Sequence, residues 1–288
     1  LMPVHLYGAV APMAELRELA DRRGLTIVED AAQAHGAWRD DDDGTVHRAG
    51  ASGTLGCFSF YPSKNLGAIG DAGAVTTDDD ELAARVRRLR MYGWGSKYVL
   101  ETPAGRNSRL DELQAAILRV ALQHLDAWNA ARRERSRWYR ELIDHPTIEH
   151  PFDHEGHVYH LYVVQTAGRD RLRELLADRG IGTDVHYPVP THLQPGLTST
   201  GVTPTLPVTE RLTERICSLP MYPELTRGEI EIVAEAVNDI GYDGPVVIES
   251  FSSHIESIAA AAAIWRPLAP TQDALAQDGL SFLQKTFG

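Results

Sequence analysis

From its first residues the chain alternates short apolar runs with helical patterns, the signature of βαβ units that build a parallel sheet. Residues 3–7 predict a strand, and Met13, Leu16, Leu19 and Ala20 then share one face of a helix. Gly24 closes that helix, glycine being suited to the left-handed position after a helix end. Residues 25–28 return as a strand that runs into Glu29 and Asp30. Residues 55–60 and 74–76 predict further strands, and residues 81–89 another helix. Ligands in open α/β sheets gather at the carboxyl ends of strands, and Asp30 lies at such an end.

Residues 108–143 contain neither Gly nor Pro, and Leu110, Leu113, Ile117, Val120 and Leu125 recur at helical spacing. This predicts one long helix or two nearly continuous ones, opened by a capping box of Ser108 with Asp111. After Pro146 the pattern restarts with a strand over 157–165, a helix over 170–178 closed by Gly180, and a strand over 183–187. A Pro-rich loop fills 188–207. Two helices follow, one running into Pro220 and one capped by Thr226 with Glu229. Residues 1–127 thus read as one α/β domain and 128–239 as a small α+β domain, with 240–288 as a separate tail.

Composition narrows the setting. Hydrophobic residues at 43% and charged residues at 24% of 288 describe an ordinary globular chain, and no apolar run is long enough to cross a bilayer. The start at Leu1 lacks the order of a signal peptide, and Cys57 and Cys217 are too few and too distant for a disulfide framework. A soluble protein of the reducing cytoplasm is expected. The net charge of −12 argues against non-specific nucleic-acid binding, which needs cations to displace phosphate counterions. The acidic run at 40–43 sits before Gly44 among polar residues and reads as a solvated loop, so no metal site is expected.

Candidate chemistry gathers in a short span: Asp30 and Gln33 in EDAAQAHGA, Ser59 and Lys64 in SFYPSKNLG, and the glycines from Gly67 to Gly73. Each is ordinary alone, since a loop lysine is usually solvated and a strand-end Asp often caps a turn. Gly67, Gly70 and Gly73 lack phosphate-loop spacing, which favours a tight turn entering the strand at Ala74. The combination is distinctive.

The phrases PVHLYG from Pro3, EDAAQAHGA from Glu29, CFSFYPSKNLGAIGDAGAV from Cys57, NSRLDELQAAIL from Asn107, HVYHLYVV from His157, GIGTDVHYPVPTHLQP from Gly180 and LPMYPELT from Leu219 are spread across nearly the whole range of residues 1–239. In this order they resemble the DegT/DnrJ/StrS sugar aminotransferases, which depend on pyridoxal 5′-phosphate (PLP). The resemblance implies an α/β fold, a partial aspartate-aminotransferase-like (fold type I) large domain with a mainly parallel sheet, followed by the small α+β domain. It implies Lys64 as the Schiff-base lysine and proton carrier, Asp30 beside the pyridine nitrogen, Gln33 at the ring and Ser59 on the phosphate. It further implies that Asn107 reaches the phosphate held by a neighbouring subunit of a homodimer, and that His186 and Tyr187 lie on the substrate side. The expected reaction moves an amino group, usually from glutamate, onto a nucleotide-linked keto sugar.

His160 and His192 could line the same cleft, although a histidine in an alternating strand is more often structural. Tyr159, Tyr162 and Tyr187 read as core and interface rather than a sugar platform. The resemblance begins part-way into the family's large domain, so the N-terminal part with its phosphate-binding amides and stacking aromatic is expected to be lacking. In the tail, IGYDGPVVIESF and AAAAAIWRPLAP resemble the sugar phosphate isomerase/epimerase family, in which Glu249 would be a metal ligand. One strand cannot close such a barrel. Two other readings are therefore kept: a catalytically impaired remnant acting as a binding or oligomerisation module, and, last, a metal-dependent epimerase.

Overall fold

A computed structural model describes residues 1–198 and 204–240, which belong to one compact unit ending at Ile240. The tail expected to resemble an epimerase, with Glu249, lies outside the described residues. Helix α1 (Met13–Arg23) buries Met13 and Ala20, and Gly24 ends it at φ +61°. Strand β1 (Val28–Asp30), the hairpin of β2 (Trp38–Asp40) and β3 (Val46–Arg48), then β4 (Leu55–Ser59) and β5 (Gly73–Thr76) follow. The acidic run turns between β2 and β3, and Asp41 accepts a hydrogen bond from His47.

The central sheet has the order β1-β4-β5. β1 and β4 are parallel, with Asp30 opposite Cys57, whereas β5 is antiparallel to β4 with Gly73 opposite Ser59. The α/β class stands, and the described sheet is mixed rather than mainly parallel. The physical reason is the connection: residues 60–72 fold back as a compact turn, which returns β5 antiparallel beside β4. Residues 3–7 contribute a single parallel bridge, Val4 to Asp30, before curling into a 3-10 turn at Leu6–Gly8.

Helix α2 (Asp80–Leu89) is capped by Asp79, whose carboxylate accepts from the amides of Glu81 and Leu82. After the hairpin of β6 (Trp94–Ser96) and β7 (Val99–Leu100) come α3 (Glu112–Ala121) and α4 (Leu125–Leu142), nearly continuous through a 3-10 turn at Leu122–His124. The expected cap does not form. Asp111 is the N-cap without a side-chain bond, and Ser108 instead gives its backbone N–H to Arg90. The buried face also differs: Leu118 and Leu125 pack on Leu66 and Ala68, while Leu113 and Val120 are exposed in the single chain.

Next come β8 (Tyr162–Gln165), α5 (Arg169–Asp178), the short α6 (Pro195–Thr198), α7 (Pro207–Arg215), β9 (Ile216–Leu219) and α8 (Arg227–Asn238). The helix expected to run into Pro220 stops at Arg215. Ile216–Leu219 is a fully buried strand antiparallel to β8, and a four-residue apolar run does not reveal by periodicity which it will be. Residues 183–187 add only a bridge, Asp184 to Ser218. Thr226 and Glu229 do form a capping box. Tyr139, Tyr159, Tyr162, Leu172, Cys217 and Ile230 belong to one core, and Met13, Ile27, Ala31 and Val158 to another. Among the described residues no helix is long and apolar enough to cross a membrane.

Glu29 fastens the carboxyl end of β1. Its fully buried carboxylate accepts from the amides of Gly50, Ser52 and Gly53 and from His5 Nε2 at 2.7 Å. His5 Nδ1 accepts from the Ala11 amide, which leaves the proton on Nε2. Burial pushes the Glu29 carboxyl up, but the His5 bond and the amides of Gly53, Gly50 and Ser52 outweigh it and hold it below the ordinary value. A depressed acid contributes stability above its unfolded pKa and loses it as pH falls through the folded one. Glu29→Gln should therefore cost about 3 kcal/mol in urea unfolding near neutrality, a difference that shrinks on acidification below the ordinary glutamate value.

Candidate functional site

Strand pairing brings two of the expected residues together. Asp30 ends β1 and Ser59 ends the adjacent β4, and both line a recess of about 180 Å³ with Ala32, Cys57 and Phe58. The Asp30 carboxylate accepts from the Ala32 amide at 3.0 Å, an Asx-type turn that orients it. Ser59 Oγ accepts only a long contact from the Tyr61 amide, 3.3 Å, so its hydroxyl proton is available to a ligand.

Lys64 lies in the loop after β4, half-buried. Burial lowers the pKa of its amine, and the negative charge of Asp30 partly restores it. The turn is tight. A Cβ on Gly67 would lie 2.4 Å from the Pro62 carbonyl oxygen, whereas one on Gly70 would meet nothing closer than 3.5 Å. The glycines serve the turn, as their spacing implies.

Asn65, beside Lys64, is buried. Its Nδ2 donates to Asn129 Oδ1 and to the Val158 carbonyl, both at 2.9 Å, and its Oδ1 faces His160 Nδ1 at 3.2 Å. Asn129 in turn donates to the His35 carbonyl at 2.8 Å. Sequence reasoning missed Asn65 and Asn129, although the Asn in SKNLG directly after the lysine was the available signal.

Gln33 is buried by protein partners: its Oε1 accepts from the Tyr7 amide at 2.7 Å and its Nε2 donates to Tyr187 Oη at 3.0 Å. Tyr7 Oη donates to the His186 carbonyl, and burial with the neighbouring Tyr187 pushes the Tyr7 phenol up to about 12. His186 Nδ1 shares a hydrogen bond with Ser218 Oγ at 2.8 Å. Gln33, His186 and Tyr187 are thus one connected group, with half of the Tyr187 side exposed. Tyr159 and Tyr162 are core. His192 pairs with Glu210 at 2.9 Å, and His160 lies inside rather than on a cleft wall.

Asn107 is exposed, bridges Met91 through its backbone and does not line the recess. A larger open cleft of about 1330 Å³ runs between β5, α2 and the segment of Arg106, Arg109 and Leu110. It is the larger of the two, but Asp30 and Ser59 line only the smaller recess, and Lys64 lines neither.

Residues 1–238 match the DegT/DnrJ/EryC1/StrS aminotransferase family. The chain belongs to this family. It is 50% identical over 246 residues to a dTDP-3-amino-3,4,6-trideoxy-α-D-glucose transaminase of Streptomyces venezuelae, covering 83% of this chain and 62% of that relative. It is 41% identical over 239 residues to a UDP-N-acetyl-3-dehydro-α-D-glucosamine 3-aminotransferase of Acidithiobacillus ferrooxidans, covering 82% and 63%. Its fold is similar to the crystal structure of S. venezuelae DesV in complex with a ketimine intermediate, with TM-score 0.75, 48% identity and coverage of 83% and 64%. The chain therefore spans a little under two thirds of the length of these relatives. Their fold type I architecture agrees with the α/β class read from the sequence.

The Gly67 geometry makes a prediction that needs no ligand. Gly67→Ala should displace the Lys64 turn and cost about 1–3 kcal/mol in thermal or urea unfolding, while Gly70→Ala should stay within about 0.5 kcal/mol of the parent.

Proposed function

We propose that the chain carries the lysine side of a PLP-dependent aminotransferase site acting on a nucleotide-linked keto sugar, with glutamate as amino donor. The observation that carries this reading is that strand pairing sets the Asp30 carboxylate and Ser59 at one recess, just before the half-buried Lys64 in the chain, in a member of an aminotransferase family. The residues fit the cofactor's chemistry: an amine for an aldehyde, a carboxylate for a pyridinium proton and a hydroxyl for a phosphate. When bound, PLP supplies an electron-accepting ring that stabilises the charge left when a proton leaves the amino-bearing carbon.

The environments support the roles that the family resemblance implies. Lys64 Nζ would hold the cofactor's aldehyde carbon and, when not so engaged, would be the base that removes and returns a proton at the substrate carbon. Its lowered pKa leaves more neutral amine at neutral pH than an exposed lysine has. Asp30 holds the proton on the pyridine nitrogen, an adjacent carboxylate favouring the cation. Ser59 binds the phosphate. Gln33 packs at the ring with its amide already fixed by Tyr7 and Tyr187, and His186 and Tyr187 face the substrate. Asn107, exposed in the single chain, reaches the phosphate site of a second subunit in a cytoplasmic homodimer. Residues 1–127 form the cofactor domain and 128–239 the small domain. The nucleotide-sugar class is supported by the dTDP- and UDP-sugar relatives.

Borohydride treatment of the chain incubated with PLP, followed by peptide mass analysis, should place a covalent adduct on Lys64. Lys64→Ala should lack it and should lower glutamate-driven conversion of PLP to its amino form by about 10²–10⁴-fold. A folded wild-type chain that traps no adduct would sink the proposal and favour the binding-module reading.

A further inference from the structure

The hydrogen-bond chain behind Lys64 has only one consistent set of orientations. The carbonyls of His35 and Val158 can only accept, so the atoms facing them, Asn129 Nδ2 and Asn65 Nδ2, are nitrogens. Asn129 therefore turns its oxygen to Asn65, and Asn65 turns its own oxygen to His160 Nδ1, 3.2 Å away. An amide oxygen cannot donate. His160 must carry a proton on Nδ1.

The ring is also kept neutral by its surroundings. It is buried, and Lys64, Arg132, His35 and His186, each of which carries or can carry positive charge, act on it electrostatically. Burial first, then these four groups, lower the His160 pKa to about 3. A neutral imidazole with the proton on Nδ1 has no proton on Nε2, so its single donor is spent on Asn65. The His160 backbone is pinned independently, because Arg132 donates to the carbonyls of Tyr159, His160 and Met221.

We propose that His160 is a positioning residue for Lys64, acting through Asn65: its Nδ1–H fixes the Asn65 amide and with it the turn that carries the reactive amine. This rests on the reading of Lys64 as the cofactor lysine, and it adds a residue from the segment before β8 to the support of the Lys64 turn. The alternative for His160 is plain core filling. The two differ in what the donor does.

The test compares His160→Asn, His160→Gln and His160→Leu in the full chain without cofactor. An asparagine amide places a donor near the Nδ1 position, a glutamine amide near Nε2, and leucine supplies none. Competitive acetylation against pH, read at Lys64 by mass spectrometry with exposed Lys97 as reference, reports the lysine's own titration. His160→Leu and His160→Gln should raise the Lys64 midpoint by about one pH unit toward the ordinary value, as the loosened turn lets water reach the amine. The same variants should trap PLP about tenfold less well at equal cofactor, and His160→Asn should stay within about twofold of the parent in both readouts.

A Lys64 midpoint unchanged in all three variants, with only the melting temperature moved, would overturn the proposal. So would an Asn variant indistinguishable from the Gln variant. If leucine prevents folding, the Asn and Gln pair decides, since both are polar and of similar volume. Failure of the wild-type chain to trap PLP would instead remove the cofactor reading, leaving the acetylation series to judge His160 alone.

Discussion

An ionised carboxylate cut off from water is tolerable only when its lone pairs are met by donors, and at Glu29 the donors come from two separate stretches of chain. His5 reaches it from the segment beside β1, and the amides of Gly50, Ser52 and Gly53 from the loop before β4. Because successive side chains in a strand point to opposite faces, burying Glu29 this way sends Asp30 to the other side. The Asp30 carboxylate is thus placed by the burial of its neighbour Glu29. The same loop leads directly into β4, whose pairing with β1 sets Ser59 beyond Cys57, opposite the end of Asp30's strand.

Lys64 is anchored by different means. It stands in a turn between antiparallel strands, where there is no ladder to define its position. The buried amides of Asn65 and Asn129 take over that function, tying the turn to α4, to the His35 loop and to Val158 and His160. Buried networks of this kind rigidify when every member is satisfied. Here the members that can be oriented are oriented by backbone carbonyls, which cannot change role.

The early segment also meets the later one through Tyr7. Gly8, at φ +101°, lies so close to Val158 and to the backbone of Tyr159 and His160 that a Cβ there would sit 2.9–3.1 Å from them. This approach puts Tyr7 where its amide meets Gln33 and its hydroxyl the His186 carbonyl. Gln33 completes the circuit to Tyr187. A change at His186 or Tyr187 is therefore felt by the loop that follows Asp30.

The sequence by itself determined what depends on neighbours a few residues away. Helix ends at Gly24 and Gly180, the cap at Thr226, the helical period of α1 and the strand-end place of Asp30 all rest on local dihedral and hydrogen-bond preferences. The phrases holding Lys64, Asp30 and Ser59 carried the family. Only the tertiary structure decided that Ile216–Leu219 is a strand, that Leu113 and Val120 face outward, and that β5 returns antiparallel. It alone joined His5 to Glu29 and His160 to Asn65, across 24 and 95 residues. Polar pairs so far apart leave no periodicity in the chain, because their hydrogen bonds exist only after packing has brought the segments together and removed the water that would otherwise serve them.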